Sequence, residues 1–527
     1  MNSKIHQFIR RPEFPAALSG ILLTAAFPKI GLSWIAWGAL VPLLLAIRDK
    51  SPRQSFRIGL FSGCVHYLTL IYWLADTMRT YGQLPWYVCL PVLFLFALYL
   101  ALYTAAFSAV ISRYSRMPIR FALMAPVLWV AFEYMRATFL SGFPWEMLGY
   151  SQYPSLRMIQ ISDIFGVYGV SFLVAFGNTC LFLCWQLIFN GFPKEHPDIR
   201  SRIAGVIALF AVLQIAALMY GEKRLAEVDR YMAAAPSPNI AVIQGNISQS
   251  VKWDPAFCLS TMEKYGALSK STAPKNPKLI IWPETATPFY FLNENRYSPM
   301  LLETIRGMGT DFIIGSPAFE RKGTAESYRN RAYLLTANGA AAGHYDKARL
   351  VPFGEFVPFK QWLPFIGKIV AEVGDFEAGP EGETLQWGNY RLGMQICYEM
   401  IFPHLSRKAI QNGADCIVNI TNDAWYGTSS APYQLFSMAI FRAVENRRTV
   451  IRAANTGISG FVDPGGRIMG NTDLFADAAM TRKIPLLREL SVYTRYGDLF
   501  AWICLVFTII IIIKTWGNIR KKSTGNN

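Results

Sequence analysis

Long apolar runs separated by short polar loops fill the first 220 residues, and one more such run appears near the end of the chain. A bilayer span needs about 20 mostly apolar residues. By that rule, spans are expected at 16–28, 31–47, 58–77, 84–112, 121–138, 162–190, 203–220 and 499–513. The first run is short and follows Arg10 and Arg11, as a signal peptide would. No cleavage-site pattern follows it and the next apolar run begins almost at once, so it reads as a retained span. The expected organisation is a transmembrane domain of seven helices over 1–220, a second domain over 221–495, and a last transmembrane helix with a tail over 496–527.

The stretch 221–495 has a different pattern. Short β-rich runs alternate with helical stretches. Strands are expected at Asn239–Gln244, Leu279–Trp282, Phe312–Gly315, Ala332–Thr336, Leu392–Ile396, Cys416–Ile420 and Val450–Ala454. Helices are expected near 256–270, 298–309, 402–412 and 430–448, the last with Pro432 in its first turn. Strands this apolar are buried on both faces, which makes an α/β domain. The loop Phe353–Val373 is apolar with no strict period, and Phe356, Phe359, Trp362 and Phe365 on it are candidates for lipid contact.

Composition agrees with a chain partly dissolved in lipid. Of 527 residues, 52% are hydrophobic and only 16% charged, where a soluble protein has about a quarter charged. The net charge of +16 raises the question of nucleic acid. Its distribution answers it. The stretch 221–495 holds 30 Lys and Arg against 26 Asp and Glu, and the rest of the chain 21 against 9. The excess lies in loops on one side of the spans: Lys4, Arg10 and Arg11; Arg48, Lys50, Arg53 and Arg57; Arg113, Arg116 and Arg120; Lys194, Arg200 and Arg202; and the tail. The opposite short loops hold only Lys29, Arg79, Arg136 and Arg157. This bias puts both termini in the cytoplasm and 221–495 outside it. It leaves no basic stripe for nucleic acid.

Familiar catalytic motifs are missing: there is no phosphate loop, no GxSxG elbow and no HExxH. With five histidines in the whole chain, a metal cluster is not expected. Cys258, Cys397 and Cys416 lie in the exported stretch, and an odd number leaves at least one thiol free. Three strand ends carry polar groups in apolar settings. Leu279–Pro283 ends in Glu284, His344-Tyr345-Asp346 leads to Lys347, and Leu392–Ile396 ends in Cys397, followed by Tyr398 and Glu399. Each alone reads better as a surface group at a strand end. Together they place a carboxylate, an amine and a thiol at the carboxyl ends of buried strands.

Glu284 in Trp-Pro-Glu, Lys347 in Tyr-Asp-Lys and Cys397 in Cys-Tyr-Glu resemble the Glu-Lys-Cys triad of the nitrilase superfamily. With spans on both sides, and with Gln244-Gly245-Asn246, Trp253-Asp254-Pro255, Gly354–Pro358 and Tyr496-Gly497-Asp498, the chain resembles the apolipoprotein N-acyltransferase family over nearly its whole length. One departure is Tyr328-Arg329-Asn330, where the family is expected to have Tyr and Asn adjacent. The resemblance implies a membrane domain of about eight transmembrane helices carrying an α/β nitrilase-like domain, an αββα sandwich.

The residue types suit acyl transfer. Glu284 can take the Cys397 proton as general base, and Lys347 with the Tyr398 N–H can stabilise the oxyanion. The resemblance implies that Glu355 and Glu399 hold the site. It also implies a phospholipid acyl donor, phosphatidylethanolamine as the usual one, and a diacylated apolipoprotein acceptor. Trp253, Phe356, Phe359 and Trp362 are expected to line the acyl site. No cofactor or metal is called for. The expected setting is the bacterial inner membrane, as a monomer, with the catalytic domain facing the periplasm. The rival readings are a nitrilase-type hydrolase, a transporter with an exported sensor domain, and an inactive scaffold.

Overall fold

The computed structural model describes residues 11–189, 198–294, 296–322, 325–356 and 376–524. They form two compact units. One comprises Met1–Tyr72, Tyr87–Arg224 and Tyr496–Asn527, and the other Trp73–Trp86 and Leu225–Arg495.

The first unit is helical. Helix α1 (Glu13–Ala25) is followed by a 3-10 turn at Ser33–Trp37, a short helix at Val41–Ala46 and α2 (Pro52–Leu70). Helix α2 starts on a reciprocal Ser51–Gln54 capping box with Pro52 in its first turn. The apolar run at 58–77 does not continue as one helix. It breaks at Ile71–Tyr72, and α3 (Trp73–Thr80) belongs to the second unit. Asp76, Thr77, Arg79 and Thr80 make α3 more polar than the run that precedes it.

Next come α4 (Trp86–Ile111), α5 (Pro118–Thr138), α6 (Val167–Phe189) and α7 (Ile199–Ala234). The stretches Trp86–Tyr114, Pro118–Thr138, Val167–Phe189 and Ile199–Ala234 are long and apolar enough to cross a membrane, and α2 with α3 qualifies as a broken span. Of the eight expected runs, 16–28, 31–47 and 499–513 form shorter apolar helices among the described residues. Large apolar side chains such as Leu95, Val212, Ile215 and Met219 are exposed, which suits a lipid surface. The buried charges Glu133 and Arg136 brace the chain after α5. Glu133 accepts the Leu148 N–H at 2.6 Å, and Arg136 donates to the carbonyls of Phe143 and Trp145.

In the second unit, strands β1 (Asn239–Gln244), β2 (Leu279–Ile281), β3 (Asp311–Lys322), β4 (Ala325–Leu335) and β5 (Ala341–Asp346) build one sheet. The other holds β6 (Thr384–Trp387), β7 (Tyr390–Ile396), β8 (Cys416–Thr421), β9 (Val450–Ala454), β10 (Gly460–Val462) and β11 (Ile468–Asn471). Strand β12 (Ala478–Lys483) returns to the first sheet, whose order is β12-β1-β2-β3-β4-β5, against β11-β10-β9-β8-β7-β6 in the second. β1, β2 and β3 run parallel, as do β7, β8 and β9.

Alternation along the strands explains the layers. Ile240, Val242, Leu279 and Ile281 pack between the sheets against Met394, Ile396, Val418 and Ile451. Ala241, Ile243, Ile280 and Trp282 turn the other way. They meet Cys258, Met262 and Tyr265 of α8 (Pro255–Lys270) and Leu301 and Ile305 of α9 (Tyr297–Met308). Helices α10 (Pro403–Gln411) and α11 (Ala431–Asn446) cover the second sheet, giving an αββα sandwich. Helix α11 stops two residues short of Arg448, because Arg447 turns left-handed at φ 53°. The last helix of the chain is α12 (Leu499–Thr524).

Ile451 lies fully buried between the sheets. Ile451→Ala is expected to cost about 2–5 kcal/mol, measured as a lower thermal unfolding midpoint of the full chain in detergent.

Candidate active site

Glu284, Lys347 and Cys397 converge at the carboxyl ends of β2, β5 and β7. Glu284 leaves β2 through Trp282 and Pro283. Gly315 of β3 passes so close that a Cβ there would lie 2.5 Å from the Pro283 carbonyl and 2.6 Å from the Thr285 nitrogen. Only glycine lets the two strands hold Glu284 at that height. Its buried carboxylate accepts three donors. Oε1 takes Asn330 Nδ2 at 2.7 Å and Lys347 Nζ at 3.4 Å, and Oε2 takes the Asn422 N–H at 2.8 Å.

Lys347 is buried beneath two carboxylates. Besides Glu284, it donates to Glu355 Oε1 at 2.9 Å, and its ammonium lies 5.7 Å from the centre of the Tyr398 ring. Burial alone would lower its pKa, but Glu355, Glu284 and Cys397 hold it well above the ordinary lysine value. Lys347 is therefore a permanent cation. Glu355 completes the cluster, accepting Asn330 Nδ2 at 3.0 Å and the Val351 N–H at 2.8 Å. Asn330 thus bridges both carboxylates.

Cys397 opens the 3-10 turn Cys397–Ile401 with φ at 58°, a left-handed conformation that a side chain other than glycine's adopts at a cost. The turn is fastened from several sides. Asn419 Nδ2 donates to the Cys397 carbonyl at 3.1 Å, and Arg452 holds Asn419 while making two bonds to Asp423. Buried Glu399 accepts the Ile396 N–H at 2.6 Å, the Ala348 and Arg349 N–H groups at 2.7 and 2.8 Å, and the Tyr345 hydroxyl. It ties the nucleophile's turn to the segment that follows Lys347. Tyr398 donates its hydroxyl to the Leu350 carbonyl at 2.6 Å. Its N–H lies in the first turn of the 3-10 helix, where such groups lack an intrahelical partner.

Burial pushes the Cys397 thiol far up, Glu284 adds to that, and Lys347 opposes it. The resting nucleophile is a thiol, so it needs a base to become reactive. Glu284 is the carboxylate that acts on it most strongly. The three residues can therefore perform attack by sulfur, proton transfer through a carboxylate, and charge stabilisation by a fixed ammonium.

The other expected residues are placed unevenly. Trp253 is half-buried in the loop between β1 and α8, and Phe356 is half-buried with its carbonyl accepting the Phe353 N–H. Phe359 and Trp362 lie outside the described residues. His344 and His404 face Asp346 and Glu381, at 4.0 and 3.8 Å. Among the described residues no cluster of three His, Cys, Asp or Glu suits a metal ion.

Asn419 and Asn422 are not among the residues the sequence singles out, although Thr421-Asn422-Asp423 ends an apolar strand just as Glu284 and Cys397 do. Helix α3 was also unexpected here. Thr77 Oγ1 donates to the Trp425 carbonyl at 2.9 Å and the Tyr81 hydroxyl to the Ala424 carbonyl at 2.6 Å. Both brace the loop that carries Asn422.

Two family profiles match the chain. One describes the apolipoprotein N-acyltransferase N-terminal domain and covers residues 19–180, and the other describes carbon-nitrogen hydrolases and covers 239–489. Relatives named apolipoprotein N-acyltransferase are similar over nearly the full length. The protein of Geobacter metallireducens is 44% identical over 95% of this chain and 95% of its own. That of Methylococcus capsulatus is 34% identical, covering 92% of each chain. That of Chlorobaculum tepidum is 30% identical, covering 95% of this chain and 96% of its own.

Burial raises the Glu399 carboxyl to about 7, against the pull of its N–H donors. A carboxyl raised from about 4.3 to about 7 binds its proton more tightly in the folded protein. Its contribution to stability is full below the unfolded value and lost as pH rises to the folded one. The stability advantage of the native protein over Glu399→Gln should therefore shrink between about pH 4.5 and pH 7 and stay level above, as unfolding midpoints measured across that range would show.

Proposed function

The chain belongs to the apolipoprotein N-acyltransferase family, and on that premise we propose that it passes an acyl chain from a phospholipid, through a thioester on Cys397, to the α-amino group of a diacylglyceryl-cysteine. The observation that carries this reading is the meeting of a buried, strained Cys397 with a buried carboxylate, Glu284, and one fixed cation, Lys347.

In the first half-reaction Glu284 removes the Cys397 proton as sulfur attacks the donor ester. Lys347 and the Tyr398 N–H stabilise the tetrahedral oxyanion, and one such donor is worth about 3 kcal/mol. Glu284 then hands the proton to the leaving alcohol, and lysophospholipid departs. In the second half, the acceptor amine attacks the thioester, the C–N bond forms and the C–S bond breaks. Glu284 passes the amine's proton to sulfur. The thioester stores the energy of the donor ester, so the chemistry needs no cofactor. Glu355 and Glu399 position Lys347 and the nucleophile.

Both substrates are lipid-anchored, which gives the apolar helices a purpose: they confine the encounter to the membrane plane. The reading puts seven spans before the catalytic domain and one after it, in the bacterial inner membrane, with 221–495 in the periplasm. The distribution of Lys and Arg between loops supports that orientation. Phosphatidylethanolamine is the proposed usual donor and the monomer the working form. Trp253, Phe356, Phe359 and Trp362 are the proposed acyl contacts, and a cover of that kind would keep water from the thioester.

Purified enzyme given phosphatidylethanolamine and a diacylated lipopeptide should yield lysophospholipid and a peptide heavier by one acyl chain, both seen by mass spectrometry. Cys397→Ala and Glu284→Gln should reduce the product to background. Free fatty acid in place of the acylated peptide would mark the chain as a lipid hydrolase instead.

A further inference from the structure

The Tyr398 N–H donates to no acceptor among the described residues, so its direction is set through its own peptide unit. That unit is planar, and in the trans form its C=O and N–H point opposite ways. The Tyr398 N–H shares its plane with the Cys397 carbonyl, so a group that fixes the carbonyl also aims the N–H. The i→i+3 bonding within the turn Cys397–Ile401 has the poor geometry usual for 3-10 helices. A second bond comes from outside. Asn419 of β8 donates from Nδ2 to the Cys397 carbonyl at 3.1 Å, and to the Gln395 carbonyl at 3.3 Å. An amide has one donating and one accepting end. Arg452 of β9 can only donate, so it takes Asn419 Oδ1 and leaves Nδ2 for the carbonyls. Arg452 is held in turn by both Asp423 oxygens, at 3.0 and 2.8 Å, and by the Ile458 carbonyl at 3.2 Å. Asn419, Arg452 and Asp423 are all buried.

In the first half-reaction sulfur adds to the ester carbon, the electron pair of the C=O moves onto oxygen, and the thiol proton goes to Glu284. Accepting the thioester reading of Cys397, we infer that Asn419 is a positioning residue for the oxyanion: it holds the Cys397–Tyr398 peptide so that the N–H stays turned to the developing charge, and Arg452 fixes which end of the amide does so. A donor aimed before the charge appears needs no reorientation during the reaction, which is what makes it effective. The two oxyanion donors are then set independently. Carboxylates place Lys347, and the row Asn419, Arg452 and Asp423 places the Tyr398 N–H. This also gives a reason for three polar side chains packed behind the nucleophile, where each must be fully paired to offset its burial.

The test compares the full native chain in detergent with Asn419→Asp and Asn419→Ala. Asn419→Asp keeps the shape and an oxygen for Arg452, but sets an acceptor where the Cys397 carbonyl needs a donor. Asn419→Ala removes the contact without adding charge. Two reactions of Cys397 are followed at one pH by mass spectrometry of its peptide. Acylation by phosphatidylethanolamine passes through an oxyanion. Alkylation by iodoacetamide displaces iodide from a saturated carbon and builds none. At saturating phospholipid, acylation should slow about 100-fold in Asn419→Asp and about 10-fold in Asn419→Ala, with half-saturation within about threefold of native. Alkylation should stay within about threefold of the native rate in both, because no oxyanion forms there. Equal slowing of both reactions overturns the assignment, since Asn419 then holds the sulfur or the fold instead of the oxyanion donor. Native acylation by Asn419→Asp, a change in half-saturation alone, or loss of folded protein in both variants also overturns it. If the native protein alkylates but forms no acyl-enzyme, the thioester reading itself falls and takes this one with it, a result visible without any variant.

Discussion

The site depends on the cost of burying the ammonium of Lys347. Left alone in a protein interior, such a charge costs several kcal/mol even after relaxation. Here Glu284 and Glu355 both reach it, and each must itself be satisfied. Asn330 therefore bridges the two carboxylates, the Asn422 N–H caps Glu284, and the Val351 N–H caps Glu355. Each of these donors comes from a different stretch of chain. One buried cation thus recruits the ends of β2, β5 and β8 and the middle of β4 into a single cluster, and the cluster fixes Glu284 beside Cys397.

That arrangement also decides how the thiol is activated. The field of Lys347 favours the Cys397 thiolate, but by less than burial and Glu284 oppose it. The thiolate is therefore disfavoured until a substrate arrives. The reaction then calls for concerted proton transfer to Glu284 rather than attack by a preformed thiolate. The strained turn at Cys397 contributes aim rather than charge. Asn419 holds the turn from β8 and Glu399 from within it, and their own partners, Arg452 and Tyr345, are buried.

Much of the second unit was legible in the sequence because its central strands are apolar on both faces. Ile240–Gln244, Leu279–Ile281, Leu392–Ile396 and Cys416–Ile420 stand out, and a polar residue that ends such a run is conspicuous. Glu284 and Cys397 were found that way. Asn422 gives the same signal after Ile420, but an amide suggests no chemistry by itself. Peripheral strands were not legible. In Ala341–Asp346 only the last two residues are buried, and the short β10 and β11 follow a Gly-rich stretch that reads as loop. The two-residue break at Ile71–Tyr72 was hidden because Trp73, Leu74 and Ala75 prolong the apolar run past it.

The most direct measurement of the account's central claim is the ionisation of Cys397 in the folded resting enzyme. The rate of its alkylation by a small reagent, read site by site by mass spectrometry, would be followed against pH. A thiol held protonated by burial should react slowly at neutral pH, with a rate still rising beyond about pH 9. A plateau already reached below about pH 7 would mean a preformed thiolate paired with Lys347, and would contradict the assignment of Glu284 as the base that activates sulfur.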